Sequence, residues 1–425
     1  MHKFFAPLMM VIALLVSLSI SFAQEERLQI VASHSILADV VQNVAGDAAD
    51  VTGLMPLGAD PHSFTPVPSD LVALADADVV FVNGAFFEEG LMEAIENAGD
   101  EMNLVTVSSC VQIIAFGGHD HDHEDHAHEG EDHEHEGDDH AHEEDDDHAH
   151  EEGEDHDHDA HEGEMGDMSA MAALCEQHYA EMEALHEAGH DHDHEGEDHE
   201  HEEHAHDHVE TLGALYAIDC GTGHSHDHEG EDHDHEEGEE HAHDHGSCDS
   251  HVWTEPHNVM LWTMLIRDTL IELDPANAET YAANASTYLE AVDALAQEFI
   301  EPLVESLPES ERVLVTNHEA FGYFAARYDF EIVGTIIPAA TTTADPSAAD
   351  IAALIDLIRE EDVTAIFAET TVGDRIVQQI SEETGAEVFA LYSGSLSDAD
   401  GPASTYLDYM RYNVTTIVET LGISD

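Results

Sequence analysis

Basic residues are nearly absent from this chain of 425 residues. Lys and Arg together total 8 against 97 Asp and Glu, and neither occurs between Arg27 and Arg267. Such an excess of negative charge repels phosphate backbones and anionic lipid surfaces. The composition therefore excludes nucleic acid as a partner, and attachment to a membrane by charge is equally disfavoured.

Cysteine is scarce, and none lies directly after the apolar start of the chain. A short basic start precedes an apolar run at residues 8–20, and residues 21–23 read Ser-Phe-Ala. This pattern predicts a cleavable signal peptide at residues 1–23, because the run is short for a retained anchor and ends in small residues. Without a cysteine after it there is no lipoprotein attachment site. We expect a soluble periplasmic or secreted protein.

A repetitive run of His, Asp, Glu and Gly occupies residues 119–245. Imidazoles and carboxylates bind borderline divalent cations, and a segment this charged buries too little apolar surface to fold. We predict a disordered, metal-attracting insert at residues 117–248, with an acidic solvating linker as the alternative. We predict that its histidines act as auxiliary metal ligands. Three groups of three represent them: His119, His121, His123, His199, His201, His204, His241, His243 and His245.

Two less charged islands interrupt the insert. Residues 165–188 have helical periodicity and residues 209–220 form an apolar run, so part of the insert can fold back on the body. The first island contains His186-Glu-Ala-Gly-His190, which matches the zinc-protease pattern. We attribute this match to chance, because Gly189 and the acidic run after it are poor helix formers and the segment is dense in His and Glu.

All four cysteines flank or interrupt the insert, at Cys110, Cys175, Cys220 and Cys248. Thiols in an oxidising compartment usually pair, and four can pair in three ways. We predict a Cys110–Cys248 disulfide at the base of the insert, where ordered chain gives way to the acidic run. A Cys175–Cys220 bond would then join the two islands.

Short apolar strands alternate with amphipathic helices on both sides of the insert, which predicts an α/β fold with parallel sheets. We divide the chain into a first lobe at residues 24–273, which includes the insert, a linking helix at residues 274–307 and a second lobe at residues 308–425. Helical spacing in the linker continues to about Ile300, a rod of roughly 40 Å at ~1.5 Å per residue. Such a rod is the natural connector between two lobes.

Three histidines, His62, His251 and His318, each occupy a loop or helix start beside a strand or turn. Ligands collect at the carboxyl ends of strands in folds of this kind. Each histidine alone is weak evidence, because a single histidine is more often a satisfied polar residue. We expect His34 and His257 to be structural.

The sequences around these three histidines resemble, in order and spacing, motifs of the zinc/manganese-type substrate-binding proteins of metal ABC importers. The matching segments read DPHSFTP from residue 60, DSHVWTEPHN from residue 249 and TNHEAFGYF from residue 316, followed by YSGS at 392–395 and TYLDYMRYN at 405–413. The resemblance covers the chain from Arg27 to its end, apart from the insert. It implies two α/β lobes joined by a rigid long helix, with a metal held between them by His62, His251 and His318.

One position departs from the family pattern. Gly394 stands where the family often has Asp, and this change removes a hard oxygen ligand. Zinc accepts three imidazoles completed by water or a carboxylate, whereas manganese favours oxygen ligands, so the chain favours Zn²⁺ over Mn²⁺. Its His-rich insert also resembles the zinc branch. Asp60 and Glu369 could supply a fourth ligand or accept an imidazole N–H, although Glu369 could equally be a surface carboxylate.

The resemblance implies the zinc-binding component of a metal ABC importer, which captures Zn²⁺ in the cleft and delivers it to the membrane permease. We expect a monomer without enzymatic activity. A zinc hydrolase with the same three histidines and a metal-bound water is an alternative, but no oxyanion motif or substrate pocket is recognisable. A surface protein that sequesters metal or mediates adhesion is a third reading, which gene neighbourhood would separate from transport.

Overall fold

The computed structural model describes residues 27–98, 102–114, 162–189, 248–337, 339, 342, 346–370 and 375–422. The predicted signal peptide, the nine sampled insert histidines, His190 and Cys220 lie outside these ranges. Within the described part of the chain, no helix is long and apolar enough to span a membrane.

The first lobe is a parallel four-stranded sheet covered by helices. Its strands are β1 (Leu28–Ala32), β2 (Ala49–Gly53), β3 (Val79–Val82) and β4 (Leu104–Thr106), in the order β2-β1-β3-β4. Between them lie α1 (Ser35–Ala45), α2 (Pro68–Asp76) and α3 (Glu89–Ala98). Every residue of β3 is buried, as expected for a central parallel strand that is covered on both faces.

The second lobe repeats this arrangement with the strand order β6-β5-β7-β8. Its strands are β5 (Val313–Thr316), β6 (Glu331–Thr335), β7 (Ala365–Glu369) and β8 (Glu387–Leu391), all parallel. Its helices are α8 (Gly322–Tyr328), α9 (Ala348–Glu360), α10 (Arg375–Thr384) and α11 (Tyr406–Leu421). Helices α4 to α7 precede them in the chain and are described below. The predicted α/β class with two parallel-sheet lobes is confirmed.

A long helical segment connects the lobes. After α4 (Glu162–Gly189) in the insert, α5 (Pro256–Leu273) returns to the first lobe, and a 3₁₀ turn leads into α6 (Ala278–Ala294), a π-helical turn (Leu295–Ile300) and α7 (Glu301–Glu305). The predicted rod is therefore present, with a π turn inside it. Pro302 lacks the N–H that would bond the carbonyl of Glu298, which is a local reason for the ladder to loosen there.

One hydrophobic cluster spans the two lobes, and each lobe has a second cluster of its own. A continuous cluster of buried side chains includes Ile30 of the first sheet, Trp253, Leu289 of α6, Phe324 of α8 and Tyr406 of α11. Because the connecting helix and both lobes contribute to the same cluster, the lobes are packed against each other as well as linked.

The insert is not disordered throughout, which corrects part of the sequence interpretation. The island predicted to be helical forms α4, and Arg267 of α5 makes a paired contact with Glu181 on it. His178 of α4 bonds Asp268 at 2.8 Å, and the Tyr179 hydroxyl donates to the carbonyl of Cys110 at 2.8 Å. These contacts order α4 although it lies between highly charged runs.

The predicted Cys110–Cys248 disulfide is wrong, and so is the Cys175–Cys220 bond expected with it. Cys110 pairs with Cys175 of α4 across a Cα–Cα distance of 5.1 Å, and Cys248 is also disulfide-bonded. Position at the base of the insert could not reveal this pairing, because the docking of α4 on the 3₁₀ turn Val107–Cys110 brings the two thiols together. The expected helix start at His318 is also wrong, since α8 begins at Gly322 and His318 lies in the preceding loop.

We predict that the double substitution Cys110→Ser and Cys175→Ser lowers the free energy of unfolding by about 2–4 kcal/mol, because the bond closes a loop of 65 residues. Replacing both cysteines avoids mispairing of a released thiol. Chemical denaturation followed by circular dichroism measures the change, and Tyr179→Phe, which loses one hydrogen bond of the same helix, is the matched control. A double variant as stable as the parent would contradict a stabilising role.

Candidate metal centre

His62 lies in the loop that follows β2. The Asp60 carboxylate accepts the backbone N–H of His62 at 3.1 Å, which forms a local turn, and it also accepts the Ser63 hydroxyl at 3.0 Å. Its second oxygen accepts the hydroxyl of Thr342, from the other lobe, at 2.6 Å. Asp60 therefore shapes the loop that carries His62 and links it to the second lobe.

His251 is buried at the start of a 3₁₀ turn that precedes α5. One oxygen of Asp249 accepts both the backbone N–H of His251 and its ring Nδ1, each at 2.8 Å. When the Asp249 carboxylate is ionised it can only accept, so Nδ1 then carries the proton and Nε2 presents its lone pair. The sequence signal for this partner is the Asp-x-His spacing, which our sequence analysis did not assign a role.

His318 lies in the loop after β5, and its Nδ1 bonds the carboxylate of Glu369 at the end of β7. The second oxygen of Glu369 accepts the hydroxyl of Ser393. Glu369 is buried and not on the surface. Both of its oxygens are engaged, so it acts here as the acceptor for an imidazole N–H, and Nε2 of His318 faces the cleft.

The three imidazoles meet at one point between the lobes. Nε2 of His251 lies 3.2 Å from Nε2 of His62 and 3.1 Å from Nε2 of His318. One nitrogen from each ring lies within 4.8 Å of the other two. Nitrogen ligands in a tetrahedral zinc site are roughly 3.4 Å apart. The geometry is thus that of three ligands around a small divalent cation.

Aromatic rings form the apolar wall of this cluster. Phe87 lies edge-on to His62 with ring centroids 5.4 Å apart, and Trp253 lies 5.4 Å from His251. His34 packs against Phe87 and Trp253, and its Nδ1 accepts the backbone N–H of Leu37, which caps α1. His34 is therefore structural, as expected.

Gly394 permits a close approach of the two lobes. A Cβ at this position would lie 2.7 Å from Cγ of Pro61, next to His62. The neighbouring Ser395 hydroxyl accepts the backbone N–H of Gly58 at 2.8 Å, again across the cleft. An aspartate at position 394 would not fit without a shift of the His62 loop.

Burial and nearby charge shift the pKa values of His251 and His318 in opposite directions. Burial, followed by the charge of His318, lowers the pKa of His251 well below its usual value. Burial alone would lower the pKa of His318, but the adjacent Glu369 carboxylate outweighs it and raises that pKa. Burial also raises the pKa of Asp249 to about 7. A proton on His318 is thus the main competitor of a cation at this cluster.

We predict that the metal affinity begins to fall as the pH drops below the raised pKa of His318, because only neutral imidazoles coordinate. Glu369→Gln removes the charge that raises this pKa, so the fall in affinity, measured relative to each protein's own affinity at neutral pH, should begin at a lower pH. Loss of the carboxylate partner should also weaken binding at neutral pH by about 10–100-fold. Metal affinity measured against pH tests both effects, with the exposed Glu387→Gln as control. If the affinity of Glu369→Gln begins to fall at the same pH as that of the parent, the role given to this carboxylate is wrong.

The chain is similar to known metal-binding proteins over most of its length. The family profile described as ZnuA, zinc-uptake complex component A, periplasmic, matches residues 30–420. The manganese-binding lipoprotein MntA of Halalkalibacterium halodurans is 26% identical over 398 residues, which cover 93% of this chain and 89% of the relative. The iron-binding protein YfeA of Yersinia pestis is 37% identical over 178 residues, 42% of this chain and 56% of the relative.

Two solved structures show the same fold. The manganese-bound periplasmic metal binding protein of Candidatus Liberibacter asiaticus is 21% identical with a TM-score of 0.57, over 92% of this chain and 98% of that one. The periplasmic zinc binding protein TroA of Treponema pallidum is 19% identical with a TM-score of 0.58, over 93% and 99%. Since the family profile spans most of the sequence, the chain belongs to the ZnuA family of periplasmic zinc-uptake components.

Proposed function

We propose that this protein is the extracytoplasmic zinc-binding component of an ABC importer, which captures Zn²⁺ between its lobes with His62, His251 and His318 and delivers it to the permease. The observation that supports this most is the meeting of three Nε2 atoms at one point, with carboxylates behind two of the rings. Named relatives bind manganese or iron, so the choice of metal rests on the donor atoms of this chain.

The donor set favours zinc over manganese. All three converging atoms are imidazole nitrogens, which suit Zn²⁺, whereas Mn²⁺ prefers carboxylate and water oxygens. Asp249 and Glu369 each hold an imidazole N–H, and Gly394 offers no side-chain oxygen. A water molecule would complete the tetrahedron.

Contacts across the cleft favour a closed, loaded form that must open for release. Thr342 bonds Asp60, Ser395 bonds Gly58, and the backbone N–H of Leu396 donates to the Ser35 hydroxyl at 2.9 Å. Each such hydrogen bond contributes only about 0.5–1.5 kcal/mol. A permease that competes for these few polar groups could separate the lobes and expose the metal.

The two alternatives to zinc import are a zinc hydrolase and a surface protein. The family is a transport component and not an enzyme, so the zinc hydrolase reading is set aside. A surface protein that sequesters zinc or mediates adhesion would use the same cluster without a permease. Permease and ATPase genes next to this one would favour import. The signal peptide predicted at residues 1–23 supports a location outside the cytoplasmic membrane.

The histidine runs of the insert would act as a low-affinity antenna. They lie outside the described residues, so this role rests on their composition. Weak sites on a tethered segment raise the local zinc concentration, and the acidic residues attract cations over a longer range. The helix α4 and the Cys110–Cys175 bond attach the insert to the first lobe, so the effect should be on the rate of capture.

We predict that His62→Ala, His251→Ala and His318→Ala each weaken the tight site by at least about 100-fold, more than a typical change outside the ligand sphere. Competition with a strong chelator keeps the weak insert sites empty and reports the tight site alone. His199→Ala, a single change in the insert, is the control. If one of the three variants binds zinc as tightly as the parent, that residue is not a ligand.

We predict that Gly394→Asp raises the ratio of Mn²⁺ to Zn²⁺ affinity, because it adds an oxygen donor beside three imidazoles. Gly394→Ala is the matched control, since it meets Pro61 in the same way without a carboxylate. Both variants should bind zinc more weakly than the parent. Equal metal preference in the two variants would show that position 394 does not set selectivity.

We predict that replacing the insert histidines outside α4 by glutamine leaves one tight zinc and removes several weak ones. Cys220 and residues 162–189 are retained, so that the helix and the disulfides are not disturbed. Zinc titration by native mass spectrometry counts the ions, and uptake should slow only when zinc is scarce. Loss of the tight zinc would place the primary site in the insert.

A further inference from the structure

A second group of metal-binding side chains lies outside the cleft cluster. His186 of α4, His257 of α5 and Asp293 of α6 each place one ligand atom within 4.8 Å of the other two. All three residues are partly buried. The group joins the insert to the first turn of α5 and to the connecting helix, three elements that are distant in sequence.

His257 is held in the same way as the histidines of the cleft. Its Nδ1 bonds one oxygen of Glu255 at 2.6 Å, while the other oxygen of Glu255 accepts the backbone N–H of Asn258 at 3.0 Å. A carboxylate behind one ring nitrogen fixes the ring and leaves the opposite nitrogen for a cation. His257 therefore has the second-sphere partner of a ligand, although its sequence context predicted a structural role.

The side-chain amide of Gln297 marks the point where the other two acceptors meet. Its nitrogen lies 2.8 Å from Nδ1 of His186 and also donates to Asp293. The His186 and Asp293 atoms are themselves 3.9 Å apart. Two acceptors that share one donor present their lone pairs to a single position, which a cation can occupy. Rotation of the amide would then offer its oxygen as a further ligand.

Gln297 lies in the π turn between α6 and α7. Such turns interrupt the regular hydrogen-bond ladder and occur frequently at functional sites. In this chain the turn positions Gln297 beside Asp293, one turn earlier on the same helical segment. The backbone irregularity and the side-chain cluster thus coincide.

We propose that His186, His257 and Asp293, with Gln297 as a fourth donor, form a second binding site for a borderline divalent cation, with Zn²⁺ as the best fit. Two imidazoles and one carboxylate are a common zinc donor set, and ligand atoms in such a site are roughly 3.4 Å apart. The present spacing of up to 4.8 Å requires the rings to approach by about an ångström. His186 is the most exposed of the three, with 42% of its side chain accessible, and its position near the end of α4 allows this movement.

The site would make the docking of the insert dependent on metal. Along α4, Cys175 is bonded to Cys110, and His178 and Glu181 contact α5. A cation at His186 would fasten the last turn of the helix, immediately before the second histidine run begins at residue 190. This proposal does not depend on the metal or the role assigned to the cleft.

The test uses the full chain with zinc as the probe. Anomalous diffraction at the zinc edge should give a peak between His186, His257 and Asp293. In solution, amide hydrogen exchange in residues 180–189 should slow when zinc is added, by up to about 100-fold at a zinc concentration a hundred times Kd. Asp293→Asn and His186→Gln should abolish this zinc-dependent slowing.

Two controls separate this site from other effects. Asp268→Asn changes the contact of α5 with His178 of α4 but no proposed ligand, and it should keep the zinc effect. His62→Ala should also keep it, so that failure of the cleft assignment is distinguishable. Exchange measured without zinc shows whether a variant has simply loosened α4. The proposal is overturned if no anomalous peak is present, or if Asp293→Asn and His186→Gln retain the zinc-dependent slowing.

Discussion

The pairing of buried imidazoles with carboxylates is the interaction on which the rest of the structure depends. Asp249 and Glu369 hold Nδ1 of His251 and His318, so that both rings turn Nε2 toward the same point. Burial of such groups is unfavourable unless each is bonded. The pairs satisfy that requirement, and the lobes can therefore close over a polar cluster that would otherwise oppose their contact.

The architecture brings these pairs together from distant parts of the chain. Parallel sheets place their strand ends, and the loops after them, on the side where the lobes face each other. The shared core fixes the distance between the lobes, and Gly394 lets the second lobe approach the His62 loop closely. The meeting of three imidazole nitrogens at one point results from this approach.

The insert contains both highly charged runs and a helix that packs on the first lobe. Its runs of His, Asp and Glu hold nearly half of the acidic residues of the chain. The helix α4 within it is attached to the first lobe by a disulfide and by ionic contacts with α5. The segment that we propose to attract cations is thereby attached to the lobe that provides His62 and His251. The cluster of His186, His257 and Asp293 lies at this attachment, so cation binding and docking of the insert can be coupled there.

The sequence by itself determined the α/β class, the connecting helix and the three histidines that meet in the cleft, because periodicity and local motifs are encoded over short stretches. It did not reveal the Cys110–Cys175 bond, which depends on where α4 docks. It also left Glu369 undecided between ligand, orienting acceptor and surface residue, gave Asp249 no role and treated His257 as structural. Only tertiary structure decides these, since each depends on a partner brought close by folding and not by spacing along the chain.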